Sequence, residues 1–332
     1  EPSVTGLANG EFVVTWWDSS AHNRTQDGFT DTSNYAVFGQ KFTTASVDTP
    51  AADGSQFQVN STTYHHQDMP DVAGFSDGSF VVTWESYNQD GSREGIAGRR
   101  FKADGSPLDA NDFVVNTYTR YDQYTPKVAT LNDGKFVVIW GDEDAHSSRA
   151  DGDPGNDNSG WAVQGQLYNA DGSKSDGQFQ VNTYTSSNQY QPSVTSLDNG
   201  GFVVSWYSDH DTNIYLQRYD STGTASGDEL RVNVTTYQTQ QDPSVSVLKD
   251  GSFVVTWESN YQDNNGGSDN GVFSQHFNAN GTKSSNIKLM GGSGDESLVF
   301  DTAQDGLLID LGDGIDTLTL GDSSDAVGVA NI

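Results

Sequence analysis

Cysteine is absent from the 332 residues, so neither disulfide bonds nor thiolate metal sites can form. Basic residues are scarce: 16 Lys and Arg stand against 46 Asp and Glu, which gives a formal net charge of −30 at pH 7. Such a surface repels nucleic acid and anionic membranes and attracts divalent cations. No run of about 18 apolar residues occurs. We therefore expect no nucleic-acid partner and no membrane insertion. Because the chain has no disulfide bonds, its core or a bound metal must supply its stability.

One short segment occurs five times. Each copy opens with glycine, continues as Phe-Val-Val and closes with tryptophan, and the copies span residues 10–16, 78–84, 134–140, 201–206 and 251–257. A β-branched and aromatic run after a glycine turn is typical of a strand. Side chains of a strand alternate between its two faces, and both faces here are apolar. We expect a strand covered on both sides, with its tryptophan in the core rather than serving as a platform for sugars.

The repeat extends beyond this segment with fixed spacing. A proline stands fourteen residues before every motif tryptophan, at Pro2, Pro70, Pro126, Pro192 and Pro243. Ten residues before four of these prolines stands an asparagine, and seven residues after each asparagine comes a glutamine; the pairs are Asn60 and Gln67, Asn116 and Gln123, Asn182 and Gln189, and Asn233 and Gln240. Amide side chains beside turns bind neighbouring backbone groups. The pairs therefore predict a structural joint between successive units.

Each unit contains four predicted strands. Examples are residues 192–197, 202–206, 96–101 and 179–182 for the first to fourth strand, with the repeated proline at the first residue of the first strand, where its missing N–H does least damage. Successive prolines are 51 to 68 residues apart. Four antiparallel strands in a unit of this size are typical of a β-propeller blade. A string of small sandwich domains is the alternative, which we disfavour because about 60 residues is small for an independent all-β domain without disulfides.

The predicted fold is all-β, a β-propeller of at least five four-stranded blades over residues 1–290, followed by a short β-roll or β-solenoid segment over residues 291–332. The first unit lacks a preceding Asn–Gln joint, and the chain opens inside a repeat, so we expect a piece of a longer polypeptide with further blades or domains.

Length variation falls between the second and third strands of the units. These connections emerge at one end of a propeller, and insertions gathered on one face of a repeat array commonly mark its binding face. The alternative is that this end merely tolerates insertions. Trp17 and Trp161 lie outside the motif register and are candidates for stacking on a ligand.

Residues 291–332 follow a different pattern. Glycine and aspartate recur in residues 291–299, 311–319 and 320–327, and this pattern resembles the glycine-rich nonapeptide of RTX-type, haemolysin-type calcium-binding bacterial proteins. The middle copy has Leu311 for the first glycine, and the first copy has Glu296 in place of an expected aspartate.

The resemblance implies a large RTX-type adhesin or surface protein that leaves the cell by type I secretion and folds outside it on meeting Ca²⁺. Carried onto this sequence, the calcium ligands are the carboxylates of Asp295, Asp316 and Asp325 and backbone oxygens near Gly312 and Gly314. The alternative is a short β-solenoid whose aspartates only form turns.

Two further groups of polar residues are candidates for chemistry. Asp151, Asp153 and Asp157 lie in the longest connection, with oxygen side chains around glycines that suit Ca²⁺, although the loop lacks the closing glutamate of an EF-hand. His22, His146 and His210 follow motif tryptophans by four to six residues, with Asp18, Asp142, Asp144, Asp209 and Asp211 nearby. No spacing joins these histidines and carboxylates into a catalytic pair, and the alternative is ordinary loop residues.

The sequence favours a noncatalytic extracellular module that binds a glycan or surface protein at its loop end. One alternative is a carbohydrate-active enzyme, a polysaccharide lyase or hydrolase, with its site around His146 and His210. The other is a self-assembling component of a surface layer or filament.

Overall fold

The computed structural model describes residues 2–8, 10–19, 35–43, 50–143, 160–185, 187–234, 236, 238–260, 270–284, 288–290, 297–300, 308–310 and 317–320. Within these ranges the chain is all-β, apart from one 3-10 turn at Asn132–Gly134. No helix in the described part of the chain has the length and hydropathy to span a membrane.

Five antiparallel sheets follow one another along the chain, and we number them as blades 1 to 5. Blade 1 contains β1 (Ser3–Gly6), β2 (Phe12–Asp18), β3 (Ala36–Thr43) and β4 (Ala51–Gln58); blade 2 contains β5 (Gln67–Gly74), β6 (Phe80–Tyr87), β7 (Glu94–Phe101) and β8 (Phe113–Val114); blade 3 contains β9 (Gln123–Thr130), β10 (Phe136–Asp142), β11 (Ala162–Tyr168) and β12 (Lys174–Gln180); blade 4 contains β13 (Gln189–Ser196), β14 (Phe202–Ser208), β15 (Asn213–Tyr219) and β16 (Leu230–Arg231); blade 5 contains β17 (Gln240–Val247), β18 (Phe253–Asn260) and β19 (Asn270–Phe277).

The strands of each blade are hydrogen-bonded in chain order, so every blade is a meander. First strands of successive blades contact one another. Residues from the first strands of all five blades, including the five repeated prolines, line one cavity of about 410 Å³. The sheets are therefore arranged around a common axis as the blades of a β-propeller, which confirms the predicted fold in this respect.

The two faces of each blade pack on different neighbours. We call the side with the motif Phe, second Val and Trp the Trp face, and the other side the Val face. The Val face of blade 2 packs on the Trp face of blade 3 in a cluster of Val81, Ile96, Val115, Phe136, Val138 and Trp140. Equivalent clusters join blade 1 to blade 2, blade 3 to blade 4 and blade 4 to blade 5. Trp84, Trp140 and Trp206 are fully buried, as expected for core residues.

The Asn–Gln joints are structural, as predicted. The Asn182 Oδ1 accepts a hydrogen bond from the Val163 backbone N (2.8 Å), and its Nδ2 donates to Gln189 Oε1 (2.9 Å) and to the Tyr184 carbonyl (2.9 Å). The same carboxamide bond to the third strand is made by Asn60, Asn116 and Asn233. Each joint thereby fixes the end of one blade to the start of the next.

In blades 2 to 5 the repeated proline lies inside the first strand rather than at its first residue, whereas Pro2 directly precedes β1 of blade 1. Strand β13 begins three residues before Pro192, at Gln189, and its pairing with β14 shifts between Tyr190 and Ser193. The residue before the proline has a positive φ in blades 2 to 5, at Met69, Thr125, Gln191 and Asp242. A bulge on an edge strand accommodates proline because the missing N–H needs no partner there.

The ends of blade 5 and of the chain differ from the prediction. Blade 5 has three described strands rather than four. The tail contributes β20 (Lys288–Met290), β21 (Ser297–Phe300), β22 (Leu308–Asp310) and β23 (Thr317–Leu320), which form two separate two-stranded parallel sheets, β20 with β22 and β21 with β23. An RTX β-roll is not shown by these described residues.

Candidate functional site

The propeller has one end that carries the variable connections. In a meander, the connection between the second and third strands emerges at the same end as the joint between blades, because both follow an even number of strands. We call this end the loop end. Side chains at the starts of first and third strands and at the ends of second strands are gathered there.

Four acidic side chains meet at the loop end of blades 2 and 3. Asp68 is on β5, Glu85 on β6, Glu94 at the start of β7, and Asp122 immediately before β9. We call them the carboxylate group. Burial raises the pKa of Glu85 to about 8, opposed by a hydrogen bond from Thr125 and reinforced by the charges of Asp68, Glu94 and Asp122.

The pKa values of Glu94 and Asp68 are raised, as is that of Glu85. Burial raises the pKa of Glu94 to about 7, and the charges of Asp68 and Asp122 add to the rise. Burial also raises the pKa of Asp68, while nearby His66 opposes the change. Three neighbouring carboxyl groups with raised pKa values are typical of acid–base sites more than of a solvated surface.

Backbone and side-chain contacts fix this group. Glu85 Oε1 accepts from the Thr125 backbone N at 2.6 Å. Asp122 Oδ1 accepts from the Glu94 backbone N at 3.2 Å, and its Oδ2 lies 3.3 Å from Arg93 Nη1. The Glu94 Oε2 is buried and has no hydrogen-bond partner among the described residues. Asp122 is thus the carboxylate with a cationic partner, whereas Glu94 has a buried carboxyl oxygen without a partner among the described residues.

A row of aromatic rings begins beside the carboxylate group and crosses blades 3 and 4. Tyr124 stacks on Trp161 with ring centroids 5.0 Å apart, Trp161 contacts Tyr190 at 6.3 Å, and Tyr190 contacts Tyr207 at 5.1 Å. Burial raises the pKa of Tyr124, as do the charge of Asp122 and a side-chain hydrogen bond to it. The row and the carboxylate group are therefore in direct contact.

A second aromatic cluster lies on the other side, between blades 1 and 2. Trp17 and Tyr35 have ring centroids 5.2 Å apart, Tyr35 and His66 are 4.7 Å apart, and His66 and Tyr87 are 6.4 Å apart. Tyr87 pairs across the sheet with Glu94. In the order of the blades, the carboxylate group lies between the two aromatic clusters.

A cavity of about 540 Å³ lies farther out on blade 4. The Tyr184 hydroxyl is 3.0 Å from ring nitrogens of His210, and the Tyr215 hydroxyl donates to Asp211 Oδ2 at 2.7 Å. Glu229 lies on its wall and accepts from the Thr183 backbone N and hydroxyl. His210, which the carbohydrate-active alternative named, thus belongs to an aromatic and acidic cavity on the rim.

The calcium ligands predicted from the sequence lie outside the described part of the chain. Outside the described residues lie Asp295, Gly312, Gly314, Asp316, Asp325, Asp151, Asp153 and Asp157, together with His22 and His146. Calcium binding at these positions stays a prediction. Among the described residues, no three or more His, Asp or Glu side chains are arranged to hold a metal ion.

Trp17 and Trp161, the predicted stacking residues, both belong to the aromatic clusters of the loop end. The carboxylate group was not predicted. One sequence signal points to it: Glu85 follows a motif tryptophan, at a position where blades 1, 3 and 4 have Trp17, Gly141 and Tyr207 and where blade 5 has Glu258.

No protein-family model matches the chain, and no curated protein matches it. Among solved structures, it is similar to a protein of unknown function from Dyadobacter fermentans, with a TM-score of 0.56, 13% identity, and coverage of 85% of this chain and 79% of that one. It is also similar to the Penicillium chrysogenum α-L-arabinanase complexed with arabinobiose, with a TM-score of 0.50, 17% identity, and coverage of 80% and 78%. The third is the GH93 α-L-arabinofuranosidase of Fusarium graminearum, with a TM-score of 0.50, 11% identity, and coverage of 83% and 76%.

These findings correct two interpretations. The RTX-type adhesin resemblance is wrong, because the named structures similar to this chain are glycoside hydrolases and no β-roll is shown by the described residues. The interpretation as a noncatalytic adhesin module is contradicted by the same comparison. At these identities the likeness shows the fold alone, so an activity must be argued from the carboxylate group itself.

Proposed function

We propose that the chain is a glycoside hydrolase whose active site is the carboxylate group at the loop end of blades 2 and 3. The observation that carries this proposal is the position of Glu94, a carboxyl whose pKa is raised to about 7, beside Asp122, a carboxylate paired with Arg93. Glycoside hydrolysis requires two carboxyl groups in such different environments.

The roles follow from the environments. Glu94 keeps its proton near neutral pH, so it donates that proton to the glycosidic oxygen as the C–O bond breaks. Asp122 is paired with Arg93 and accepts a hydrogen bond from the Glu94 backbone N–H, and these contacts fix it in position either to take a proton from the attacking water or to attack the anomeric carbon itself. Glu85 is 7% exposed and bonded to Thr125, so it positions the group and does not reach substrate.

The substrate class follows from charge and from the aromatic rings. With a net charge of −30 and four carboxyl groups at the site, an acidic polysaccharide would be repelled. Rings on both sides of the site offer stacking surfaces for neutral sugars. We therefore propose a neutral polysaccharide, and arabinan is the first probe because two similar structures are named as an α-L-arabinanase and an α-L-arabinofuranosidase.

The test measures new reducing ends from arabinan, xylan, galactan and mixed-linkage glucan. Activity on at least one of them is expected, and Glu94→Gln lowers it roughly 100-fold or more with the fold unchanged. Glu258→Gln is the matched control, because Glu258 follows the motif tryptophan of blade 5, away from the carboxylate group. No product from any of the four by a folded protein, or an active Glu94→Gln variant, contradicts the proposal.

A further inference from the structure

The cavity of about 540 Å³ on blade 4 is separate from the carboxylate group, because none of its lining residues belongs to that group. It lies where the joint after β12 and the connection between β14 and β15 meet the outer edge of blade 4. Its wall carries Tyr184, His210, Asp211, Tyr215 and Glu229. Sites for small molecules have volumes of about 300–1,000 Å³, so this cavity is large enough for a ligand of its own.

The corresponding space in blade 2 is occupied by a side chain of the repeat itself. Arg99 of blade 2 and Gln217 of blade 4 are equivalent residues, since each pairs across its sheet with the second Val of the motif. Arg99 is buried, and its guanidinium donates to three backbone carbonyls, two of them in the segment before β8 and one in the preceding joint. Gln217 is shorter, and its Nε2 donates to its neighbour's carbonyl and to that of Gly227. Blade 4 therefore keeps open a space that blade 2 fills.

The acidic side chains of the wall are held in place and keep acceptor oxygens for a ligand. Asp211 Oδ2 accepts from the Tyr215 hydroxyl at 2.7 Å, whereas its Oδ1 is buried and has no partner among the described residues. Glu229 accepts from the Thr183 backbone N at 2.7 Å and from the Thr183 hydroxyl at 2.8 Å, both on Oε2. A buried carboxylate oxygen without a hydrogen bond is costly, so a ligand that donates to Asp211 gains by satisfying it.

The aromatic side chains of the wall add ring surface and hydrogen-bonding groups of both kinds. The ring of Tyr184 is 39% exposed and lies with its centroid 4.4 Å from that of His210. A tyrosine hydroxyl and a neutral imidazole each offer a donor and an acceptor. The ring faces of Tyr184 and Tyr215 offer apolar surface on which the C–H groups of a sugar can pack.

We propose that this cavity is a second glycan-binding site, which takes a short stretch of a neutral polysaccharide. The ring of Tyr184 stacks on a sugar, and Asp211 and Glu229 accept hydrogen bonds from its hydroxyl groups. A sugar hydroxyl is both donor and acceptor, which matches the mixture of groups on the wall. That the same polysaccharide occupies this cavity and the carboxylate group rests on the proposed hydrolase function, whereas the binding of a neutral glycan here does not.

A cation fits the cavity less well than a sugar. Ca²⁺ needs several oxygen ligands, and in the described part of the chain no three His, Asp or Glu side chains are arranged to hold a metal ion. An organic ammonium group would be attracted by the carboxylates and the rings. It accepts no hydrogen bond, however, so it would leave the donors of Tyr184 and His210 without an acceptor.

The experiment uses a single thiol as a local reporter, since the chain has no cysteine. Ala225→Cys places it at an exposed residue on the wall of the cavity, and Ser226→Cys, at the adjacent exposed residue, is a second reporter. The probes are the trisaccharides of arabinan, xylan, galactan and mixed-linkage glucan. With a Kd of about 1 mM, one of them at about 10 mM should slow thiol labelling about tenfold. Leu108→Cys, in the corresponding segment of blade 2, is the matched control and should label at an unchanged rate.

Two variants test the wall in the Ala225→Cys protein. Tyr184→Ala removes the exposed ring, and Gln217→Arg introduces the residue with which blade 2 fills this space; each should abolish the protection by trisaccharide. Tyr118→Ala is the matched control, because Tyr118 holds the same position in the joint before blade 3 and does not line the cavity. It should leave the protection unchanged. Should Gln217→Arg fail to fold, Tyr184→Ala decides alone.

Three results would overturn the proposal. The first is that none of the four trisaccharides protects either reporter thiol. The second is that the protection survives in a folded Tyr184→Ala protein. The third is protection by tetramethylammonium or Ca²⁺ but by no trisaccharide, which would make the cavity a cation site.

The outcome is distinguishable from that of the hydrolase proposal. Glu94→Gln should keep the protection, because Glu94 is not on the wall of this cavity. Where a polysaccharide is hydrolysed, Tyr184→Ala should raise KM for the polymer about tenfold and leave the hydrolysis of its short oligosaccharides unchanged, since only the polymer spans both sites. Protection without hydrolysis would contradict the hydrolase proposal alone, and hydrolysis without protection would overturn the second site alone.

Discussion

Glu85 of blade 2 accepts a hydrogen bond from the backbone N–H of Thr125 in blade 3, with an oxygen–nitrogen distance of 2.6 Å. Thr125 is the positive-φ residue of the bulge before Pro126. A buried carboxyl of the carboxylate group in one blade is thus bonded to the bulge of the next blade.

The first prediction concerns stability and pH. Because the pKa of Glu85 is raised from 4.5 to about 8, the folded protein binds a proton there that the unfolded chain has released. This contribution of Glu85 to the free energy of unfolding is fully present below about pH 4.5 and is lost as pH rises to about 8. We expect the free energy of unfolding to drop by about 4 kcal/mol between pH 5 and pH 9. Glu85→Gln should flatten this dependence in urea unfolding, whereas Glu258→Gln should keep it. Equal slopes in all three proteins would contradict the burial of an uncharged Glu85.

The second prediction concerns the pH profile of hydrolysis. With Glu94 as the proton donor and its pKa at about 7, kcat/KM should fall about tenfold per pH unit above pH 7. The charge of Asp68 contributes to that raised pKa, so Asp68→Asn should move the falling limb to lower pH. Steady-state kinetics from pH 5 to pH 9 measure the position of this limb in both proteins. An unmoved limb would mean that Glu94 does not supply the proton.

The third prediction concerns sugar binding by the aromatic row. Trp161 is stacked on Tyr124 and only partly buried, so its loss removes a stacking surface without opening the core. Trp161→Ala should raise KM for the active polysaccharide about tenfold and leave kcat nearly unchanged. Leu108→Ala, an exposed apolar residue in a connection at the opposite end, is the control. A drop in kcat alone would argue against a binding role.

The fourth prediction concerns the joints. Asn182 is buried, and its carboxamide bonds Val163, Tyr184 and Gln189. Asn182→Ala leaves buried donors and acceptors without partners, which should cost about 2–4 kcal/mol of unfolding free energy. Asn111→Ala, at an exposed position, should cost less than about 0.5 kcal/mol. Chemical denaturation measures both, and similar values for the two variants would contradict the structural role of the joint.

The fifth prediction concerns calcium. If Asp153 or Asp316 binds Ca²⁺, chelation with EGTA should lower Tm, because a ligand that binds only the folded protein stabilises it. Asp153→Asn and Asp316→Asn would each reduce that effect at its own site. A Tm that is insensitive to both EGTA and added Ca²⁺ would remove the metal from consideration.

Much of the fold could be predicted because the repeat records it five times. The Asn182–Gln189 spacing predicted a joint, since a fixed distance across insertions elsewhere requires a fixed structure. The position of Pro192 within its strand was missed, because the strand begins three residues earlier and passes through a bulge with a positive φ at Gln191, for which glutamine gives no sequence signal.

The carboxylate group was beyond a sequence prediction for a related reason. Glu85 and Asp122 are 37 positions apart and belong to different units, and only the packing of blade 2 on blade 3 brings them together. The repeat contains the residues that all blades have in common. The site consists of residues that are particular to blades 2 and 3, so the repeat does not predict it. Residues 291–332 suggested the wrong family, because a short pattern of glycine and aspartate is compatible with turns in many folds.

The one-way pairing of Val face with Trp face gives this molecule a direction of assembly. Each blade that leaves the ribosome finds the preceding blade already presenting the surface that it needs, and contacts with distant parts of the chain are not required. The chain can therefore fold blade by blade during synthesis, because each folded sheet provides the surface on which the next one packs. Substitutions in an early blade should delay everything made after it, and those in the last blade should leave its predecessors folded.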